Sequence, residues 1–318
     1  MKAASSYDLI TKQRHGDMKS QAVPFRHLNN YVKKVLIQEA LDQVKGRYPQ
    51  LSDAVVLDLA SGRGGDIGKW LYMKSPAINA AEVSSATKAL TTTYYECYDI
   101  SDEAVAEAQR RCNILTSNSP ISTFHASFFV ADCFSEDFLK CTLRESSHFG
   151  KFHIVSIQFA FHYACRSEEA MQTLLESISS ALVPGGVVIL TTVNQDELSG
   201  RVGSNRLGNS LFQIKLVADM AELSASYEKD KEFLLPLGTK YHFNLDGFVD
   251  CEEYVVPSKI LENTASKVGL QKLKSHSRPF LDFLNDYRQS WKNNKGNTLS
   301  NDEVELVTIY CSFLFIKE

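Results

Sequence analysis

The chain has 318 residues, 44% of them hydrophobic and 23% charged, which suits one large domain or two ordinary ones with a conventional soluble core. Its net charge of −4 excludes the strongly basic surface with which proteins grip long nucleic acid through phosphates; a small, chemically distinctive end group remains open as a target. Seven scattered cysteines with no C-x-x-C pair, and histidines with no H-x-x-x-H spacing, suggest neither a disulfide framework nor a metal site.

Residues 1–22 read as a flexible N-terminal arm; they are polar and carry acids, which argues against a signal peptide. Residues 23–318 read as one domain. From Phe25 to Val44 the apolar residues Phe25, Leu28, Val32, Val35, Leu36 and Leu41 recur at helical spacing. AVVLDLA (54–60) reads as a buried strand running into a glycine-rich turn. Residues 75–93 break the pattern, with Ser or Thr at six of the ten positions 84–93, and read as a surface insertion. TTTYYECYDI (91–100) is a strand, and SDEAVAEAQRRC begins a helix with Ser101 or Asp102 at its cap. ASFFVAD (126–132) and FHIVSIQFA (152–160) are strands, residues 168–182 a helix, VVILTTV (187–193) a strand and ELVTIYCSFLFI (305–316) a final strand. Between the last two lie residues 196–257, polar and partly helical, ending in an alternating hairpin around Asp246-Gly247 that looks like a lid. No apolar run reaches the roughly 18 residues of a membrane span.

Strands alternating with helices predict an α/β fold: a Rossmann-like, mostly parallel seven-stranded sheet with helices on both faces. Ligands in such sheets sit at the carboxyl ends of the strands, so functional residues should fall just after residues 60, 98, 131 and 158. LDLASGRGGD (57–66) lets the backbone approach a ligand closely, but lacks the third glycine of the dinucleotide pattern. A nucleoside needs a carboxylate at the end of the second strand to accept both ribose hydroxyls. Asp99 ends a good strand there. Glu82 lies nearer the usual separation of about 20 residues, but in poor strand surroundings. Asp132 follows the third strand, placed for an adenine, and Gln158 ends the fourth. Each also has a bland reading: Asp99 as a helix cap, Asp132 and Gln158 as structural residues.

Several stretches resemble the eukaryotic messenger-RNA cap guanine-N7 methyltransferase family: FRHLNNYVKKVLI (25–37), LDLASGRGGDIGKW (57–70), QFAFHY (158–163), PGG…TTVN (184–194) and KYHFNLDGFVDCEEYVV (240–256). Val193 stands where the family usually has proline, Ala60 where it has glycine, and Arg63 where it often has lysine. The resemblance covers roughly residues 20–317, and QFAFHY and the hairpin are its most specific parts.

That resemblance implies transfer of a methyl group from S-adenosylmethionine to guanine N7 of a GpppN end, leaving S-adenosylhomocysteine, with no metal. It implies that Lys33, Asp99, Asp132, Gln158, Tyr163 and the backbone at Ala60 hold the cofactor. Asn29, Asn30, Arg63, Lys69, Arg111, His162, Glu253 and Tyr310 would line the cap site. Glu253 would accept the two N–H donors of guanine, and Glu252 would face the other way by strand alternation. No catalytic acid or base is nominated, because N7 has a free lone pair and no proton to lose. Capped messenger RNA is the implied substrate, other capping enzymes or RNA polymerase II the implied partners, and a nuclear monomer the implied state. The rival readings are another Rossmann-like methyltransferase acting on tRNA or a small molecule, a non-catalytic cap-binding module, and a dehydrogenase.

Overall fold

The computed structural model describes residues 23–76, 88–119, 123–217, 233–245, 247–290 and 298–318. The large sheet contains β1 (Asp53–Leu59), β2 (Lys74–Ser75), β3 (Leu90–Asp99), β4 (His125–Val130), β5 (Phe152–Gln158) and β6 (Leu182–Val193). Three more strands, β7 (Phe212–Leu216), β8 (Lys240–Leu245) and β9 (Val249–Tyr254), make a separate antiparallel sheet. β10 (Leu270–Lys272) and β11 (Tyr310–Lys317) then return to the large sheet.

The large sheet runs β10-β11-β6-β5-β1-β3, with β4 parallel and the two-residue β2 antiparallel on β3. Leaving β2 aside, seven strands remain, and β1, β3, β4, β5 and β6 run parallel. β1 is the switch point: the chain goes from it to β3 on one side and later to β5 on the other. In such sheets the crevice outside the strand ends at that point is the ligand site.

Burial along β1 explains its near-continuous apolar run. Ala54 and Val56 enter the core on one face, while Val55, Leu57 and Leu59 enter the core on the other. The first core is covered by α1 (Val23–Arg47) and α2 (Ile67–Tyr72), the second by α4 (Glu136–Lys140) and α5 (Glu168–Ala181). Between them in sequence, α3 (Asp102–Ser117) follows β3, with Ser101 as its cap accepting from the Ala104 N–H.

α1 is fastened at both ends, which matters because it carries three expected site residues. At its start the Phe25 N–H donates to Glu303 Oε1 at 3.0 Å. Near its end the buried Lys45 ammonium donates to the carbonyls of Pro49, Leu51 and Lys88. The remaining helices are α6 (Gln195–Gly203), α7 (Ser258–Lys267), α8 (Phe280–Ser290) and α9 (Asn301–Thr308).

Three expectations need correction. The final strand does not start at 305: residues 301–308 are α9, and β11 begins at Tyr310. A capping box at Ser300 and Glu303 starts that helix, and Leu306 and Val307 bury its inner side, so local capping overrides the β-branched composition. The insertion read at 75–93 is shorter, because β3 already begins at Leu90, with Thr91 and Thr92 paired to β1. The central part of that segment, Glu82 included, lies outside the described residues. The fourth strand ends at Gln158 rather than 160, because Phe159 turns left-handed.

Candidate functional site

Two loops leave the switch point through strained backbone. Ala60, directly after β1, has φ 57°, and Phe159, directly after β5, has φ 58°. A left-handed residue with a side chain costs roughly 1–2 kcal/mol, and such strain gathers at functional sites. The loop after Ala60 is tied to β3: the Ser61 N–H donates to the Tyr98 carbonyl at 3.1 Å, and the Gly62 N–H to Asp99 Oδ2 at 2.7 Å. Gly64 has φ 68°, and a Cβ there would lie 2.4 Å from Ile67 Cδ1 and 2.9 Å from Ala108 Cβ, so only glycine lets α2 and α3 approach.

Asp99 is buried, and its two oxygens accept from the Gly62 and Ser101 N–H groups. A carboxylate at the end of this strand is the group that accepts from a ribose diol. Asp132 is exposed beyond β4, with Oδ1 accepting from the Phe134 N–H. Gln158 is clamped at the end of β5, where its Nε2 donates to Ser156 Oγ and its Oε1 accepts from Thr191 Oγ1. Ala60, Asp99, Asp132 and Gln158 thus stand at the ends of four neighbouring parallel strands, as the fold rule requires.

A single 3₁₀ turn, Phe161–Ala164, carries His162 and Tyr163 from the end of β5 towards the small sheet. β9 meets this turn. Glu253 Oε1 lies 3.6 Å from His162 Nε2, Tyr163 Oη lies 3.2 Å from Cys251 Sγ, and Tyr241 donates to Glu253 Oε2 at 2.7 Å. Glu253 is 4% exposed, whereas Glu252 is exposed on the other face of β9 and pairs with Lys240. Burial pushes the Glu253 carboxyl up to about 7 and the His162 imidazole down to about 3, so His162 is neutral at physiological pH. Both His162 ring nitrogens are buried without a hydrogen-bond partner. Tyr310 is buried among Phe25, Phe159, Phe243 and Phe280, and closes this end.

The cations form a second group. Lys33 and Lys69 share one carboxylate: Asp66 Oδ2 lies 2.8 Å from Lys33 Nζ, and Oδ1 lies 2.6 Å from Lys69 Nζ. Burial opposes ionisation of Asp66, but the two ammonium groups outweigh it and hold its carboxyl below the usual range. Lys69 also donates to Asn30 Oδ1 at 3.0 Å. Asn29, one residue earlier on α1, has its Oδ1 buried and unpartnered. Glu107 on α3 collects Arg111 and Arg110 at 2.7 Å each and Arg63 at 3.9 Å. The hydrogen bonds from Arg110 and then Arg111 pull its carboxyl down to about 2.

All fourteen expected residues lie among the described ones, on α1, the loop after β1, α2, α3, the strand ends, the 3₁₀ turn and β9. Asp66, Glu107 and Tyr241 were not singled out from the sequence, although each holds residues that were. Asp66 and Lys69, three apart on one helical turn, and Glu107 with Arg110 and Arg111, three and four apart, are signals that helical spacing carries. Tyr241 depends on hairpin register. The donors and acceptors fit a nucleoside with an amino-acid tail: a carboxylate at Asp99 and an ammonium at Lys33. Among the described residues no three His, Cys, Asp or Glu side chains group as a metal site, and no helix is long and apolar enough to cross a membrane.

Comparison with known proteins adds to this geometry. The model of the family described as "mRNA (guanine-N(7))-methyltransferase domain" matches residues 2–318. The mRNA cap guanine-N(7) methyltransferase of Schizosaccharomyces pombe is 28% identical over 316 residues, which is 94% of this chain and 76% of that protein. The Drosophila melanogaster protein of the same name is 30% identical over 281 residues, 86% of this chain and 58% of its own length. The mRNA cap guanine-N(7) methyltransferase 1 of Oryza sativa is 29% identical over 317 residues, 94% of this chain and 76% of that one. Among solved structures, an S-adenosylmethionine-dependent methyltransferase from Clostridium acetobutylicum is 14% identical with a TM-score of 0.48, covering 98% of this chain and 96% of that one; the match is loose, and the fold assignment rests on strand order.

Proposed function

The chain belongs to the mRNA (guanine-N(7))-methyltransferase family, and from that membership joined to the site geometry we infer how it works. It is an S-adenosylmethionine-dependent enzyme that methylates N7 of the terminal guanine of the GpppN cap. Its residues divide the ligands between them. Asp99 takes the ribose hydroxyls of the cofactor, Asp132 the adenine amino group, Lys33 the methionine carboxylate, and Gln158, Tyr163 and the backbone at Ala60 border the sulfonium. Glu253 accepts both N–H donors on the Watson–Crick edge of guanine. His162 and Tyr310 enclose the ring, and Asn29, Asn30, Arg63, Lys69 and Arg111 meet the ribose and triphosphate.

S-adenosylmethionine, when bound, supplies an already activated methyl group. The chain therefore has only to position and to stabilise. Proximity and orientation account for roughly 7–11 kcal/mol of barrier in well-aligned reactions. The purine becomes cationic as N7 is methylated. A carboxylate at Glu253 favours that charge, and a His162 that stays neutral adds no opposing one. No proton leaves N7, and no residue is assigned as a base.

The observation that carries this reading is the buried Glu253 carboxylate facing a neutral histidine at the end of the cofactor strands. The assay is incubation with labelled S-adenosylmethionine and RNA ending in GpppA, followed by digestion. Label recovered in 7-methylguanosine at the cap is expected. Label in ribose or in internal nucleotides refutes the assignment. We further propose a nuclear location, a monomeric state, and other capping enzymes or RNA polymerase II as protein partners, on the strength of the eukaryotic relatives.

A further inference from the structure

The cation group contains an arginine that the cap reading does not use. On α3, Glu107, Arg110 and Arg111 sit at i, i+3 and i+4, so their side chains share one helix face. Glu107 is 11% exposed and takes Arg110 through two bonds, Nε to Oε2 at 2.7 Å and Nη2 to Oε1 at 3.0 Å. The same carboxylate holds Arg111 Nε at 2.7 Å and lies 3.9 Å from Arg63 Nη2. Three guanidinium groups gather around this one carboxylate, in a chain whose net charge is −4.

The three arginines form a graded series. Side-chain exposure rises from 13% at Arg63 to 39% at Arg111 and 60% at Arg110. Arg63 belongs to the motif loop at the strand ends, and Arg110, beside Arg111 on the same carboxylate, is the most exposed of the three. A guanidinium has five N–H donors in a fixed fork. The bonds to Glu107 occupy two groups of Arg110 and fix the plane of its fork, so the rest is presented without the rotamer cost of an unrestrained side chain.

We propose that Arg110, oriented by Glu107, binds the phosphodiester that follows the first transcribed nucleotide, so that the enzyme holds the RNA chain by one phosphate beyond the cap. This rests on the cap-site reading, in which Arg63, Lys69 and Arg111 meet the triphosphate; the next anion along the same strand then falls to the next cation outward. The ligand is a single-stranded RNA phosphate. One contact of this kind is compatible with an acidic protein, whereas a long basic track is not.

The test compares two substrates, the dinucleotide GpppA, which has no downstream phosphate, and a GpppA-capped RNA of ten nucleotides. For the wild type, KM should be several-fold lower for the capped RNA. In Arg110→Ala that advantage should vanish, with the KM for GpppA changed less than twofold and the melting temperature preserved. The slope of log KM against log salt for the capped RNA should shrink by about 0.7, the value for one single-strand phosphate contact. Arg110→Lys, which keeps the charge and loses the fork, should retain part of the advantage. Glu107→Gln, which loosens all three arginines, should weaken both substrates. Equal KM values for the two substrates in the wild type, an unchanged ratio in Arg110→Ala, or an equal loss on both substrates in that variant would each overturn the proposal. Failure of the underlying cap reading looks different: the wild type would leave GpppA unmethylated, or Arg111→Ala would methylate it normally.

Discussion

The two ends of the proposed cap site are built on opposite principles. At the base end, Glu253, His162, Tyr241 and Tyr310 are all buried, at most 7% exposed, and a single carboxylate supplies the charge. At the phosphate end, the cations are partly open and partly neutralised by carboxylates: Asp66, shared with the cofactor-side Lys33, for Lys69, and Glu107 for the arginines. Burial strengthens each electrostatic contact and makes an unpaired group expensive. Exposure makes a contact adaptable and subject to salt. The base end should therefore decide which nucleotide is accepted, and the phosphate end how firmly a chain of any sequence is held.

The largest effect should come from breaking the base end. Two hydrogen bonds to a charged group are each worth about 1.5–3 kcal/mol. Glu253→Ala should therefore reduce kcat/KM for GpppA by about a hundredfold or more, with cofactor affinity within twofold of the wild type. Glu252→Ala, on the opposite face of β9, should be near normal. Steady-state kinetics with each substrate varied in turn, and calorimetric titration of S-adenosylhomocysteine, separate the two. A comparable loss in Glu252→Ala, or a defect confined to the cofactor, would remove Glu253 from the base end.

The second effect follows from the same burial. The Glu253 carboxyl is raised from 4.5 to about 7, and only its ionised form accepts both guanine donors. As pH falls below about 7, kcat/KM for GpppA should drop by close to tenfold per unit. The contribution to stability has the opposite sign. A carboxyl raised on folding contributes stability that is fully present below about pH 4.5 and is lost as pH rises through 7. Asp58, likewise raised to about 7 by burial, acts in the same direction. Between pH 8 and 6 the free protein should thus gain stability from these groups while it loses guanine affinity. A thermal melt and a kinetic profile in the same buffers test this, and parallel trends would contradict it.

At the phosphate end, Arg111→Ala should raise the KM for GpppA by about fivefold at low salt, and the gap to the wild type should narrow steadily between about 0.05 and 0.3 M as the Debye length shortens. The Glu253→Ala defect should stay constant over that range. Equal salt dependence in the two variants would erase the distinction between the ends.

How much of this could be read in advance divides along the same line. The strand-end residues Asp99, Asp132 and Gln158 follow from alternation of strands and helices plus the rule that ligands sit at carboxyl ends, so a correct strand count places them. The face of β9 was legible too, because alternation alone separates Glu252 from Glu253. What stayed hidden needs three-dimensional pairing. Ala60 and Phe159 are left-handed where neither residue type signals a turn. α9 looked like part of a strand because its apolar residues are β-branched or adjacent, and only the capping box gives it away. Tyr241 was hidden by one residue of register. A two-residue turn at Asp246-Gly247 would set residue 245 opposite 248, and so Tyr241 opposite Glu252. In the structure Leu245 pairs with Val249 and Tyr241 with Glu253. Gly247, between the two strands, has φ 69°, a left-handed conformation that glycine adopts freely.

That register makes Tyr241 the finest probe of the base end, with the smallest effect. Its hydroxyl is fully buried and donates to Glu253 Oε2 at 2.7 Å, leaving Oε1 towards His162. The bond does two things: it fixes the plane of the carboxylate, and it favours the ionised form against the burial that opposes it. Tyr241→Phe keeps the ring in the core and deletes only that donor. Because Tyr241 acts through Glu253 and does not touch the base, the loss should lie at the low end of a hydrogen bond, about 0.7 kcal/mol or roughly threefold in the KM for GpppA at pH 7.5, with kcat little changed. Without its donor, Glu253 should titrate at a still higher pH. The variant's acid limb should move upward, so that the gap to the wild type widens at pH 6.5 and closes by pH 9. A residue that merely packed the hairpin would lower activity by the same factor at every pH, and that outcome would reduce Tyr241 to a core side chain.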